Sequence, residues 1–394
     1  MAAQRKPVHL LVVDDEPDLE SLIRQKFRKK INEGAYTISF AGNGQQALDL
    51  LDREENVDVI VTDINMPVMD GLTLLARLAE REGMYKAVVI SAYGDLDNIR
   101  LAMNRGAFDF VTKPIDFADL EITIEKTIGE VAKLRQGLEA TRSLISVQQE
   151  LAVAARIQEA ILPKTFPPFP ERGEIEIYAA MTPARQVGGD FYDFFFIDEH
   201  RLAFVIGDVS GKGVPAALFM AVCRTLIKAT ALHGDGTDDC LNGVNGILCG
   251  DNSAGLFVTV FYAVLDTRTG EVSYTNAGHN PPYWLRNNGA PPEALANQGG
   301  VVLGVMPDAC YTRSTLTLAP GESLFLYTDG VTEAMDQDHA MFCDTRLGEH
   351  LANHHGAPLE EITRGLADVI ERFTRNYPQH DDITTLGVRY NGNA

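Results

Sequence analysis

The run GGDFYDFFFIDEHRLAFVIGDVSGKG, from Gly188 to Gly213, decides how the larger part of this chain folds. Two alternating, apolar-rich segments flank Glu199-His200-Arg201, which is the pattern of a β-hairpin. Acids stand at one end of each segment: Asp190 and Asp193 where the first begins, Asp208 where the second finishes. A hairpin brings its open ends together, so these carboxylates are predicted to lie close in space. Like charges about 4 Å apart repel by about 4 kcal/mol at an effective dielectric of about 20. A fold that gathers them binds a cation or protonates one of them. Carboxylate oxygens suit a hard divalent ion such as Mg²⁺ or Mn²⁺.

Two later segments extend the set. LFLYTDG (Leu324–Gly330) is an apolar strand ending in Asp329, and HDDITTLGVRY (His380–Tyr390) opens with Asp381 and Asp382 before another strand. A single acid at a strand end is ordinarily a turn residue, but here the pattern recurs across one domain. In this order, GGDFYD, DVSGKG, TDG and DDIT resemble the metal-dependent protein Ser/Thr phosphatases of the PPM family, in their SpoIIE-like branch. The resemblance implies an α-β-β-α sandwich holding two Mn²⁺ or Mg²⁺ ions between its sheets. It implies that Asp208 bridges both ions, that the Val209 carbonyl helps hold one, and that Asp329 and Asp381 hold the other. Asp190 would act through a coordinated water, which makes Asp190, Asp208, Asp329 and Asp381 the catalytic set. The implied reaction is hydrolysis of phosphoserine or phosphothreonine on a partner protein, by family analogy an anti-sigma-factor antagonist.

Other residues of this half invite smaller readings. Arg185 is a candidate phosphate contact, and Thr332 and Glu333 follow TDG as candidates to orient Asp329. His279, in NAGHNPP, is read as fixing its loop by hydrogen bonds rather than as an acid catalyst. SGKG imitates a nucleotide-binding loop, but Gly207 is one residue too close and Gly213 stands where Ser or Thr is needed. The following segment, VPAALFMAVCRTLIKATAL, is predicted to be a buried helix started by Pro215.

Towards the N-terminus the pattern changes. Short apolar runs alternate with amphipathic segments: strands at 8–13, 36–41, 57–62, 87–91 and 108–112, with helices between them. This predicts an α/β doubly wound parallel five-stranded sheet covered on both faces. Ligands in such sheets sit at the carboxyl ends of the strands, which here carry Asp14, Asp15, Asp63, Ser91 and Lys113. VVDDEP, VTDINMPVMDG, VVISAYGD and FVTKP resemble the receiver domain of two-component response regulators. The resemblance implies phosphorylation of Asp63 by a sensor histidine kinase. Asp14, Asp15, Asp63 and the Asn65 carbonyl would bind Mg²⁺, Lys113 would pair with the phosphoryl group, and Ser91 would hydrogen-bond to it. Phe110 occupies the switch-aromatic position. Gly42-Asn43-Gly44-Gln45-Gln46-Ala47 imitates a dinucleotide fingerprint, but it follows the second strand and lies beside a first strand ending in acids; a tight turn explains its glycines.

The predicted domains are therefore a receiver (1–120), a helical connector (121–165) and a SpoIIE-like phosphatase (166–394). In the connector Ile124, Val131, Leu138, Ile145 and Ala152 recur every seven residues. This pattern fits either a solvated linker helix packed on one domain or, as favoured here, a parallel coiled coil and a homodimer through the connector helix, with Gly129 and Gly137 as candidate bends. With 394 residues, the chain is long enough for two or three domains. A net charge of −21 opposes nucleic-acid binding, which depends on neutralising phosphates. Five cysteines with no CxxC pair, and no run of membrane-spanning length, predict a cytoplasmic protein that touches no membrane. Competing readings are a non-catalytic receiver-controlled scaffold, which the full acid set opposes, and a transcription factor, which the acidic charge opposes.

Overall fold

The structure, a computed structural model, describes residues 7–53, 56–81, 83–92, 94–250, 252–296, 300–375 and 377–392. The chain divides into two compact units, 1–147 and 148–394.

In the first unit strands and helices alternate: β1 (Val8–Val13), α1 (Pro17–Lys26), α2 (Arg28–Asn32), β2 (Tyr36–Ala41), α3 (Gly44–Leu51), β3 (Val59–Asp63), α4 (Gly71–Ala79), β4 (Lys86–Ala92), α5 (Leu96–Asn104) and β5 (Asp109–Lys113). The five strands form one parallel sheet in the order β2-β1-β3-β4-β5, as expected. The strands are buried on both faces because alternate residues serve separate cores. Leu11 and Val13 pack with α3 and α4, whereas Leu10 and Val12 pack with α1 and with Leu120 and Ile124. Asp70 and Asn43 cap α4 and α3, each accepting a backbone N–H three residues on. At the dinucleotide-like turn the conformation is thus that of a capped helix start.

α6 (Phe117–Ile161) is one unbroken 45-residue helix. It runs without interruption through both Gly129 and Gly137. Nothing lies within 4 Å of a Cβ at either, so neither glycine marks a close contact. The heptad row has two fates. Ile124 and Val131 are each 2% exposed, inside the first unit, whereas Leu138 and Ile145 are 39% and 49% exposed.

The second unit contains β6 (Ile175–Thr182), β7 (Phe191–Phe196), β8 (Arg201–Val209), α7 (Val214–Ala231), α8 (Thr237–Gly250), β9 (Val258–Asp266), β10 (Glu271–Ala277), β11 (Tyr283–Leu285), β12 (Glu293–Ala294), β13 (Ser314–Thr317), β14 (Ser323–Tyr327), α9 (Asp329–Thr332), α10 (Cys343–Asn353), α11 (Leu359–Thr374) and β15 (Ile383–Tyr390). Two antiparallel sheets, β13-β10-β9-β8-β7 and β12-β11-β14-β15-β6, are sandwiched between helices. Period-two alternation builds the layers. Leu324 and Leu326 of β14 enter the core between the sheets, and Phe325 and Tyr327 pack against α10 and α11. Contrary to the expectation that no run reaches membrane-spanning length, α7 is long and apolar enough to cross a membrane by length and composition. Here it packs on β7, β8 and α8 with Met220, Cys223 and Ile227 fully buried, but contrary to the expected buried helix one face is open, with Leu218 and Val222 exposed.

Candidate active site

The hairpin forms as read. β7 pairs with β8 antiparallel, with Phe191 opposite Gly207, so Asp190 emerges beside Asp208 at the open end. Close backbone approaches then draw in the other motifs. A Cβ on Gly189 would lie 2.8 Å from the Val209 carbonyl oxygen. One on Gly330 would lie 2.0 Å from the Asp382 carbonyl oxygen and 3.4 Å from the Asp381 carbonyl carbon. Hydrogen at these positions lets TDG lie directly on the Asp381-Asp382 backbone.

The gathered charge is visible in the carboxyl groups. Asp208 is pushed up to about 7, first by burial and then by Asp329, with Asp381 and Asp382 adding to it. Asp190 is buried and raised well above the usual carboxylate range by burial and by Asp208. Thr328 donates its hydroxyl to Asp190 Oδ2 at 2.7 Å and in turn accepts the Thr384 N–H. Asp329 is raised by burial, by Glu333 and by Asp381. Lys212 Nζ lies 2.9 Å from Asp381 Oδ2 and donates to the His380 carbonyl. Among the described residues, the oxygens of Asp208, Asp329 and Asp381 do not all fall within 4.8 Å of one another. Two ions about 3.5–4 Å apart suit a set wider than one ion gathers. Buried and half-buried acids raised by their neighbours, with hard oxygen donors, fit a pair of divalent cations.

Three expectations need correction. Asp193 does not join the cluster: its carboxylate lies 2.8 Å from Arg224 and 3.4 Å from Lys228 of α7. Spaced three residues from Asp190, it points to the other face of a period-two strand. Thr332 holds the Asp329 backbone carbonyl, not its carboxylate. Glu333 repels Asp329 rather than orienting it. Arg185 is exposed, with its guanidinium 4.0 Å from where a Gly213 Cβ would sit, beside the DVSGKG loop.

Sequence reasoning missed the residues that hold this arrangement. The Asp382 carboxylate accepts the Ala184 N–H at 2.8 Å and the Gly189 N–H at 2.7 Å, fixing the loop before Asp190. Gln158 of α6 is buried and grips Gly188 twice, donating to its carbonyl at 2.6 Å and accepting its N–H at 3.0 Å. No sequence pattern marks such side chain–backbone pairs, since their partners are 30 to 198 residues away.

His279 plays the loop-fixing part read for it. Its N–H and carbonyl both bond the Asn276 side chain, and Nδ1 pairs with Thr259 Oγ1 at 2.8 Å. Nε2 faces the Tyr327 backbone without completing a hydrogen bond. Burial pulls the imidazole down from 6.5 to about 4. The unfolded chain therefore binds this proton first, and stability falls as pH drops from 6.5 towards 4. The full shift is worth about 3 kcal/mol. Urea unfolding at neutral and mildly acidic pH should show His279→Asn losing much of this acid sensitivity; an unchanged pH dependence would refute the assignment.

In the first unit the carboxylates of Asp14, Asp15 and Asp63 each offer an oxygen within 4.8 Å of the others, a set suited to one Mg²⁺. Burial, above all, raises Asp14. Lys113 Nζ lies 3.0 Å from Asp63 Oδ2, 3.2 Å from Glu16 and 3.5 Å from Asp14. Burial alone would lower this ammonium, but Asp63 leads the groups that raise it. Ser91 Oγ is buried without a hydrogen-bond partner, as a hydroxyl waiting for an acceptor would be. Asn65 is exposed beside Asp63, and Phe110 is 39% exposed.

The family model for the response regulator receiver domain matches residues 10–125, and that for stage II sporulation protein E matches residues 198–391. The chain joins a response-regulator receiver to a SpoIIE-family domain of the PPM phosphatase class. The SpoIIE match begins after GGDFYD, so Asp190 lies just outside it. Protein IcfG of Synechocystis sp. is 32% identical over 269 residues, 61% of this chain and 42% of IcfG. Phosphoserine phosphatase RsbU of Bacillus subtilis is 26% identical over 273 residues, 69% of this chain and 79% of RsbU. The SiaA-PP2C domain of Pseudomonas aeruginosa has the same fold, with a TM-score of 0.56 and 24% identity over 63% of this chain and 98% of that domain.

Proposed function

We propose that this receiver–SpoIIE protein hydrolyses phosphoserine or phosphothreonine esters on a partner protein of the anti-sigma-factor-antagonist type, and that phosphorylation of Asp63 by a sensor histidine kinase gates the reaction. One observation carries the reading: the hairpin sets half-buried Asp208 beside Asp190, and TDG lies on the Asp381-Asp382 backbone, so acids from separate strands raise one another's carboxyl groups, a charge density that calls for cations. Asp208, the Val209 carbonyl, Asp329 and Asp381 would hold two Mn²⁺ or Mg²⁺ ions. Bound there, the ions would neutralise the phosphate and make water nucleophilic near neutral pH. Asp190, kept basic by burial and oriented by Thr328, is suited to take a proton from the attacking water. Thr328 and Asp382 keep that carboxylate and its loop still, so no reorganisation is needed during attack.

In the receiver, Asp63 is the phosphoryl acceptor, with Lys113 and Ser91 ready for the phosphoryl oxygens and Mg²⁺ held by Asp14, Asp15, Asp63 and the Asn65 carbonyl. Gln158 supports a route for gating, because it ties α6 to the loop that carries Asp190. The exposed Leu138 and Ile145 support a homodimer through the connector. A cytoplasmic location fits the cysteine usage.

p-Nitrophenyl phosphate hydrolysis with Mn²⁺, with and without beryllofluoride, tests this reading. Beryllofluoride should change the wild-type rate, and Asp63→Ala should keep the basal rate but lose the response. Gln158→Leu should lower the basal rate by about 10-fold, as loss of a supporting hydrogen-bond partner does. A beryllofluoride response that survives in Asp63→Ala would remove receiver gating.

A further inference from the structure

A cavity of about 440 Å³ opens beside Asp381, Lys212 and Gly330. Asp381 is its one lining residue with a part in the metal assignment, and the receiver uses none of it. Its wall is the second half of α11, and its floor is apolar, with Met335, Ile370 and Ile383. The rim is acidic, with Glu333, Asp368 and Glu371. All three are exposed, and among the described residues none has an ion-pair partner. The cation at the mouth, Lys212, is already matched by Asp381. Tyr377 adds an aromatic face, its ring centroid 5.3 Å from that of His380.

We propose that this cavity receives an arginine side chain of the phosphorylated substrate, from a residue near the phosphoserine or phosphothreonine in space. The inference rests on the phosphatase reading and deepens it by naming a recognition element. An arginine matches each part of the wall. Its methylene stem covers the apolar floor, its guanidinium plane lies against Tyr377, and its charge answers the unpaired carboxylates. An acidic side chain is repelled, and an apolar one leaves the rim carboxylates partly dehydrated with no partner. Because the cavity adjoins Asp381 and Gly330, a phosphate at the proposed metal site and an arginine in the cavity belong to one contiguous surface of the substrate.

Phosphopeptides in which one arginine is moved through the positions flanking phosphoserine, each paired with its norleucine counterpart, test the proposal on the full chain. Binding is read by fluorescence anisotropy with non-hydrolysable phosphonate versions, which need no turnover. At one or more positions arginine should tighten binding by about 10-fold over norleucine, the scale of a few partly screened charge contacts. Asp368→Asn combined with Glu371→Gln, both on the exposed face of α11, should bring that preference below about twofold. Ala367→Phe, which fills the cavity, should do the same. No arginine preference at any position, or a preference that survives both variants, would overturn the proposal. p-Nitrophenyl phosphate has no side chain to place, so its turnover should be unaffected by Asp368→Asn with Glu371→Gln. Its absence in the wild type would count against the phosphatase reading, and the anisotropy result would still judge the cavity.

Discussion

Asp208→Ala should lose p-nitrophenyl phosphate turnover by more than about 100-fold, beyond what loss of a supporting partner around a metal ligand costs. Two consequences separate this from general damage. Calorimetry should find Mn²⁺ uptake abolished or reduced to one weak site, because Asp208 is the acid to which both ions are assigned. Without metal, the variant should melt no lower than wild type. Burial and neighbouring carboxylates make the Asp208 charge unfavourable in the folded state, so removing it relieves repulsion. Added Mn²⁺ should raise the wild-type melting temperature, since binding only the folded state stabilises it, and should leave the variant nearly unmoved. Full activity in Asp208→Ala would refute the metal assignment.

Gly330→Ala should damage both the fold and the site through a single added methyl group. Its Cβ would sit 2.0 Å from the Asp382 carbonyl oxygen, and that neighbour is backbone, which cannot swing aside as a side chain can. Overpacking of this kind costs about 3 kcal/mol when the backbone must shift. The shift would also part Asp329 from Asp381, so Mn²⁺ uptake should fall even where the variant remains folded. Thermal melts with calorimetry would check both effects. Unchanged melting and full uptake would mean that the Asp381-Asp382 backbone yields freely and that the close approach does not organise the site.

Much of the architecture was legible because its signals are local. The continuous apolar strands and intervening amphipathic helices of the first unit announce a parallel sheet, and α11 was readable over its observed span, Leu359–Thr374. α8 was not, since Gly243, Gly246 and Gly250 dilute its helical signal; burial of Leu241, Val244 and Leu248 stabilises it instead. α10 is short and begins at Cys343 with a positive φ of 61°, without a side-chain cap to mark its start.

The site divides along the same line. Asp190 and Asp208 were readable as a pair, because hairpin geometry depends only on a few neighbouring residues. Asp193 was misread, since which face a strand acid takes depends on what packs there, here Arg224 and Lys228.

By itself the sequence determined the two fold classes, their order along the chain and the acids that end each strand, all consequences of short-range periodicity and turn chemistry. Only the tertiary structure decided that Asp382 holds a loop, that Gln158 ties α6 to Gly188, and that a cavity opens beside Asp381. Those facts depend on which distant backbone atoms come within hydrogen-bond or van der Waals reach, and that is settled by the packing of whole sheets and helices.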